Sequence, residues 1–290
     1  MVSVIIAAHD EQAVIGQCLD ALAAGGMKVE TIVSANGCSD ATAAVADAHG
    51  AIVIDRPEPG KPGALNAAEK VATSFPRIYL DADILVPPGG IAQLIAALAP
   101  QRGIHAAVPR RRVDTTGRPW PVRAYFRIQQ HLPVFRNGLF GRGLIVVSEA
   151  GRSRFDEFPT MTADDLFLDA QFTAAEKREL ADVEVVVQAP WTTRELLSRL
   201  TRVRRGNAEM RHAAAEHDVQ AVVRRSDRWS WLRDVVAPNP RLIPDAAAYV
   251  AITVLAGYRA RRTPTADWGR DASTRTMPAV DTVTLADGAA

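Results

Sequence analysis

Arg77-Ile78-Tyr79-Leu80-Asp81-Ala82-Asp83 is a short apolar run that stops on two carboxylates. At the C-terminal end of a buried parallel strand, such a pair opens into the crevice where open α/β sheets bind ligands. Alternation along an extended chain puts Asp81 and Asp83 on the same side, about 7 Å apart, with only small Ala82 between them. That spacing suits one hard divalent cation, Mg2+ or Mn2+, which takes carboxylate oxygens together with the phosphate oxygens of a substrate. Taken alone, Asp-x-Asp is weak, because solvated loops with two aspartates are common. The surrounding pattern decides.

Working upstream, Val2-Ser3-Val4-Ile5-Ile6-Ala7-Ala8 is a continuous, β-branched apolar run of the kind that forms strands covered on both faces. His9-Asp10-Glu11 breaks it, and Val14, Ile15, Cys18, Leu19 and Leu22 then recur at helical spacing until Gly25-Gly26. The cycle repeats. Glu30-Thr31-Ile32-Val33-Ser34 reads as a second strand, Asn36-Gly37-Cys38-Ser39 as a turn, and Asp40 as the N-cap of an Ala-rich helix to His49. Ala51-Ile52-Val53-Ile54 makes a third strand, residues 57–63 a loop, and residues 64–73 a helix leading back to the strand before Asp81. Three β-α units predict right-handed crossovers and a parallel sheet with its ligand loops along one edge.

These residues resemble the family 2 glycosyltransferases, which have the GT-A nucleotide-sugar fold. Ala8-His9-Asp10-Glu11 is similar to the family's first-strand motif, where an Asn or Asp and a Glu approach the nucleotide. Ala35-Asn36-Gly37-Cys38-Ser39-Asp40-Ala41-Thr42 is similar to its Asp-Asp-Gly-Ser-x-Asp-x-Thr segment, and Gly60-Lys61-Pro62-Gly63-Ala64-Leu65-Asn66 to its Gly-Lys-x-x-Ala-Leu-Asn segment. Asp81-Ala82-Asp83 falls where the family has its Asp-x-Asp. Four weak motifs in the right order reinforce one another over residues 2–210. The resemblance implies that Ala8, His9, Glu11, Asn36, Lys61, Asn66, Asp81 and Ala82 surround the donor, with Asn36 reading the base edge. It implies that Asp83 holds Mg2+ or Mn2+ while Asp81 supports it and contacts the donor.

In the second half, Gly141-Arg142-Gly143-Leu144-Ile145-Val146-Val147 is a glycine-flexed turn feeding a strand. Thr162-Ala163-Asp164-Asp165-Leu166-Phe167-Leu168 follows, where family members carry a Glu-Asp or Asp-Asp pair. One aspartate at a helix start has a plain structural role through the helix dipole. Two adjacent carboxylates also raise one another's pKa, which leaves one poised to take a proton. The resemblance assigns the base to Asp165, and Asp164 to orienting it or contacting the acceptor. Farther on, Arg199, Arg202, Arg204 and Arg205 crowd a stretch with Leu196, Leu197, Leu200 and Val203 at helical spacing. A solvated helix face is one reading, and phosphate binding the other. The family's Gln-x-x-Arg-Trp element aligns only at Arg204, which is therefore expected, with Arg202 nearby, on the leaving diphosphate. The missing Gln and Trp argue against a polymer-threading synthase.

A formal net charge of +1 over 290 residues, with no basic block interleaved with aromatics, speaks against nucleic acid as a partner. Two cysteines, Cys18 and Cys38, make no disulfide framework, so a reducing, cytoplasmic setting is expected. The first strand lacks the features of a signal peptide. Residues 246–258 are apolar apart from Thr253 and are followed by Arg259, Arg261 and Arg262. This run is shorter than the roughly 20 residues of a membrane span, leaving a packed helix, an interfacial helix on the inner membrane face, or a span as readings. The expected organisation is a nucleotide-sugar half (1–110), an acceptor half of the same domain (111–240), an apolar helix (241–262) and a mobile tail (263–290) that Trp268-Gly269-Arg270-Asp271 could anchor.

The expected function is inverting transfer of a sugar from a nucleotide diphosphate, UDP favoured, to an unidentified acceptor hydroxyl, in cell-envelope polysaccharide, glycolipid or glycoconjugate synthesis. Three rivals stand beside it. A sugar-phosphate nucleotidyltransferase needs a Gly-rich loop where this chain has His9-Asp10-Glu11. A dinucleotide oxidoreductase needs a Gly-x-Gly-x-x-Gly that follows no strand here. The third is a non-catalytic nucleotide-sugar-binding scaffold, against which the retention of Asp83 and Asp165 speaks.

Overall fold

A computed structural model describes residues 1–135, 138–160, 163–215 and 227–262. The first half alternates as expected: β1 (Ser3–Ala8), α1 (Ile15–Ala24), β2 (Glu30–Asn36), α2 (Thr42–Ala48), β3 (Ile52–Arg56), α3 (Lys61–Val71), β4 (Arg77–Leu80) and α4 (Gly90–Ala97). The second half adds β5 (Ala106–Asp114), α5 (Trp120–Gln129), β6 (Leu144–Val147), α6 (Glu149–Arg152), α7 (Asp164–Ala170), β7 (Lys177–Gln188), α8 (Thr193–Ala215) and α9 (Ile243–Arg262). All seven strands join one sheet in the order β3-β2-β1-β4-β6-β5-β7. β1, β2, β3 and β4 run parallel to one another, so Ala8, Asn36, Arg56 and Leu80 all end on one edge.

The apolar run of β1 is continuous because both sheet faces are covered. Val4, Ile6 and Ala8 pack with Ile15, Cys18, Leu19 and Leu22 of α1 and Leu94 of α4. Ile5 points the other way, into a cluster with Leu65 and Ala68 of α3 and Leu166, Phe167 and Leu168 of α7. Period-2 alternation thus divides one strand between two cores. β6 is antiparallel to β4, pairing Leu144 with Leu80. Its first residues therefore stand beside the last of β4, and the loop before β6 reaches the ligand edge. At the opposite end of β4, Glu69 accepts from Arg77 Nε (3.2 Å) and the Tyr79 hydroxyl (2.7 Å) and pairs with Arg152 (3.1 Å), stitching α3 to the sheet.

Several boundaries differ from those read in the sequence. α3 begins at Lys61 and not at residue 64, because Pro62 has no N–H to lose in a first turn, where it is tolerated. α2 begins at Thr42; Asp40 precedes its N-cap Ala41 and accepts from the Thr42 N–H at 3.0 Å. The apolar helix is longer than residues 246–258. Its buried positions Asp245, Ala246, Ile252 and Ala256 lie against α5 and α8, where Tyr125 stacks on Tyr249 at 5.1 Å and Asp245 pairs with Arg127 at 2.9 Å. The opposite face exposes Ala247, Ala251, Val254, Leu255 and Tyr258. So one helix is both packed and outwardly apolar. Among the described residues no helix is long and apolar enough to cross a membrane. The tail at 263–290, with Trp268, lies outside the described residues, as does Thr162.

Candidate active site

The site is built where β4 ends. The Asp81 N–H donates to the Gly143 carbonyl at 2.8 Å, and the Ile84 N–H returns to the Asp81 carbonyl at 3.2 Å, so the chain turns at once after the strand. Gly143 has φ +69°, and a Cβ there would collide with Ile84 and stand 3.3 Å from Asp81 Oδ2. Only glycine allows β6 to start this close to the carboxylates.

Lys61 is the hub. Its Nζ donates to Asp81 Oδ1 at 2.8 Å and lies 3.0 Å from Asp164 Oδ2, so one ammonium ties the strand-end pair to the helix-start pair. Burial by itself would lower the Lys61 pKa, but Asp164 and then Asp81 more than reverse it, and the ammonium is held well above its ordinary value. Burial would raise Asp81, yet Lys61 holds it below the usual carboxylate value. Asp83 goes the other way: burial and the neighbouring Asp81 charge push it up to about 6. Asp165, at the start of α7, is also pushed up to about 6, first by burial and then by Asp164. Its Oδ2 accepts from the Gly141 N–H at 3.0 Å and its Oδ1 from the Leu166 N–H at 2.8 Å. Lys61, Asp81, Gly141, Arg142, Gly143, Asp164 and Asp165 line one cavity.

A divalent cation fits this donor set. Asp83 and Asp81 are oxygen donors whose mutual repulsion already raises Asp83, and an all-oxygen set of this kind suits Mg2+ or Mn2+.

Three of the residues expected at the donor have other work in the structure. The Asn36 amide is buried: Nδ2 donates to the Ala8 carbonyl at 2.7 Å, and Oδ1 accepts from the Gly60 N–H at 2.9 Å. It joins β1 and β2 to the residue before α3, where Gly60 takes φ +139°, and so helps to place Lys61. Asn66 clasps the backbone of Phe158, donating to its carbonyl at 2.9 Å and accepting from its N–H at 2.7 Å. Arg204 turns to α9, with a guanidinium nitrogen 3.4 Å from the Cβ position of Gly257. Arg199 is the α8 residue whose charge acts on both Asp81 and Asp83. Five residues along a helix is a rotation of about 140°, which separates the two arginines onto different faces.

Ala8, His9, Glu11 and Ala82 stay on the ligand edge. His9 and Glu11 follow β1, the His9 ring holding the Asn36 carbonyl at 2.6 Å and the Glu11 N–H donating to Thr42 Oγ1 at 2.7 Å. Ala8 and Ala82 are buried at the strand ends, and Arg202 is half-buried on α8. Sequence reading grouped Arg199 with its neighbours without singling it out as the arginine whose charge acts on Asp81 and Asp83, and did not separate Arg111 from Arg110 and Arg112. Arg111 donates to the Gly141 carbonyl at 3.2 Å and sits 4.5 Å from the Phe135 ring, while Arg110 and Arg112 both pair with Glu184 on the other side of β5. Strand alternation was the available signal.

A family profile described as Glycosyl transferase family 2 matches residues 3–153. The chain belongs to this family. Uncharacterized glycosyltransferases of Mycobacterium tuberculosis and Mycobacterium bovis are 32% identical over 120 residues, 41% of this chain and 52% of theirs, so the match spans about half the length of these curated relatives. A mannosyltransferase from Pyrobaculum calidifontis, solved with GDP-Man and Mn2+, superposes with a TM-score of 0.59 at 19% identity over 91% of this chain and 76% of that one. S. aureus TarS gives 0.51 at 14% identity over 87% and 49%. The fold is therefore GT-A, a mostly parallel sheet flanked by helices with a helix appended at the C-terminal side.

The raised carboxyl of Asp83 has a consequence for stability. A group near 6 in the folded chain and about 3.9 unfolded costs stability as pH rises between those values, and the cost persists above them. At about pH 7.5 with chelator present, Asp83→Asn should melt higher than the parent. Adding Mn2+ should raise the melting temperature of the parent and leave the variant unchanged. An equal Mn2+ shift in both proteins, read by calorimetry, would contradict the assignment of Asp83.

Proposed function

We propose that this chain is an inverting glycosyltransferase that moves a sugar from a nucleotide diphosphate, UDP favoured, to an acceptor hydroxyl in cell-envelope polysaccharide, glycolipid or glycoconjugate synthesis. The observation that carries the reading is the Lys61 ammonium between Asp81 and Asp164, which ties the carboxylates at the end of β4 to those that open α7. The donor diphosphate would lie over Asp83 and Asp81, with the nucleotide along Ala8, His9 and Glu11. A Mg2+ or Mn2+ held by Asp83 and Asp81 would supply charge neutralisation of the diphosphate. Lys61 and Arg199 add fixed positive charge toward the leaving group. Asp165 takes the proton from the acceptor hydroxyl, whose oxygen bonds to the anomeric carbon as the bond to the diphosphate breaks with inversion. A carboxyl raised to about 6 suits that role, since a base works best with a pKa near the operating pH. Asp164, held by Lys61, orients the pair.

The surface of α9 favours a peripheral site of action on anionic lipid. Val254, Leu255 and Tyr258 are exposed on one helix face, which ends in exposed Arg261 and Arg262; exposed Ile243 begins the same helix. Apolar surface flanked by arginine matches an acidic bilayer, where each basic residue contributes about 1 kcal/mol. In sedimentation with phosphatidylserine-containing vesicles, the chain should associate at low salt and release at high salt; no association at low salt would contradict the membrane reading.

The chemistry has its own test. Asp165→Asn keeps the shape but removes the proton acceptor, so turnover should fall by about 10²-fold or more with donor affinity nearly unchanged. The parent rate should drop tenfold per pH unit below about 6, as the base becomes protonated, and this limb should vanish in the residual activity of the variant. A variant with parental turnover on a panel of nucleotide sugars would remove Asp165 from the mechanism.

A further inference from the structure

A second group of metal-ligating side chains lies at the ends of β1 and β2, apart from the aspartate cavity. Ligand atoms of His9, Asp10 and Cys38 all fall within 4.8 Å of one another, and His9 Nε2 is 3.8 Å from Asp10 Oδ2. Each of the three is oriented by a further bond. His9 Nδ1 is 2.6 Å from the Asn36 carbonyl oxygen, which can only accept; Nδ1 therefore carries the proton, and the Nε2 side of the ring faces Asp10. A metal-binding histidine is ordinarily fixed in this way by a carbonyl on its other nitrogen. Asp10 Oδ1 accepts from the Ser39 N–H at 2.6 Å and its hydroxyl at 3.1 Å, which turns Oδ2 toward His9. The Asp10 N–H reaches Cys38 Sγ at 3.4 Å, and such a donor stabilises negative charge on sulfur.

We propose that His9, Asp10 and Cys38 form a binding site for a borderline-soft divalent cation of the zinc class, separate from the hard-cation site at Asp83 and Asp81. The ligand chemistry separates the two sites: sulfur and imidazole select Zn2+ or Co2+, whereas carboxylates with phosphate oxygens select Mg2+ or Mn2+. A tetrahedral zinc with bonds of about 2.0–2.3 Å holds its ligand atoms about 3.5 Å apart, so the trio needs to close by only about 1 Å. A fourth position would take water, as in zinc sites with an open coordination position. Cys38 binds as thiolate: its S–H bond breaks, the metal–sulfur bond forms and the proton leaves to solvent. With one thiolate and one carboxylate the divalent ion is neutralised. Burial pushes the Cys38 thiol up, so the cation itself must drive that deprotonation. The other thiol is unsuited: Cys18 is fully buried in the core and pushed up to about 12.

The probe is Co2+, added to the reduced, chelator-stripped full chain and followed by absorption. A sulfur-to-cobalt charge-transfer band should grow to saturation at one equivalent, survive excess Mg2+, and persist in Cys18→Ala and Asp83→Asn. Cys38→Ser should abolish it, and His9→Gln or Asp10→Asn should weaken Co2+ binding by about tenfold or more, the scale seen for disturbed metal sites. No band in the parent, a band retained in Cys38→Ser, or a band lost in Asp83→Asn would overturn the proposal.

Discussion

The Lys61 ammonium, held between Asp81 and Asp164, is the contact on which the site depends. Each partner comes from a different element: Lys61 from the first turn of α3, Asp81 from the end of β4, Asp164 from the first turn of α7. Without a cation between them, two carboxylates brought this close by the fold would repel. The surrounding structure serves this geometry. The Asn36 amide fixes Gly60 and so the start of α3, Gly143 lets β6 approach β4, and the Gly141 N–H holds Asp165.

Neighbouring carboxylates acquire different proton affinities from this arrangement. Asp81, next to Lys61, is held low, while Asp83, two residues on, is pushed up to about 6 by burial and by Asp81 itself. Asp165 is pushed up likewise, beside an Asp164 that Lys61 contacts. A low and a raised carboxyl side by side is how one fold separates a charge-bearing role from a proton-accepting one. The two pairs share one ammonium, which would link donor charge to the acceptor's base across a few ångströms.

Much of this could be read from the chain. The strand–helix rhythm gave the parallel half because apolar runs and turn residues are local signals, and the positions of Asp81, Asp83, Asp164 and Asp165 at element boundaries were legible for the same reason. What escaped depends on three-dimensional partners. The amides of Asn36 and Asn66 bond backbone groups as far as 92 residues away in sequence, at Ala8, Gly60 and Phe158, which no local pattern announces. Arg204 matched a motif, and five residues earlier on the same helix Arg199 is the arginine whose charge acts on Asp81 and Asp83. The helix at Ile243–Arg262 seemed to require a choice between packing and exposure, whereas an amphipathic arrangement of apolar residues of differing size, with Ile252 and Ala256 inside and Val254 and Tyr258 outside, satisfies both.

The most direct measurement is the turnover and nucleotide affinity of Lys61→Met, a variant that keeps the stem and removes the charge. Loss of the ammonium would leave Asp81 and Asp164 facing each other, raise the Asp81 carboxyl and remove fixed charge from the cavity. The account predicts a turnover loss of about 10²-fold or more, the scale for deleting one preorganised electrostatic group, in a protein whose circular dichroism is unchanged. A folded Lys61→Met chain with parental turnover would contradict the claim that this ammonium organises the site.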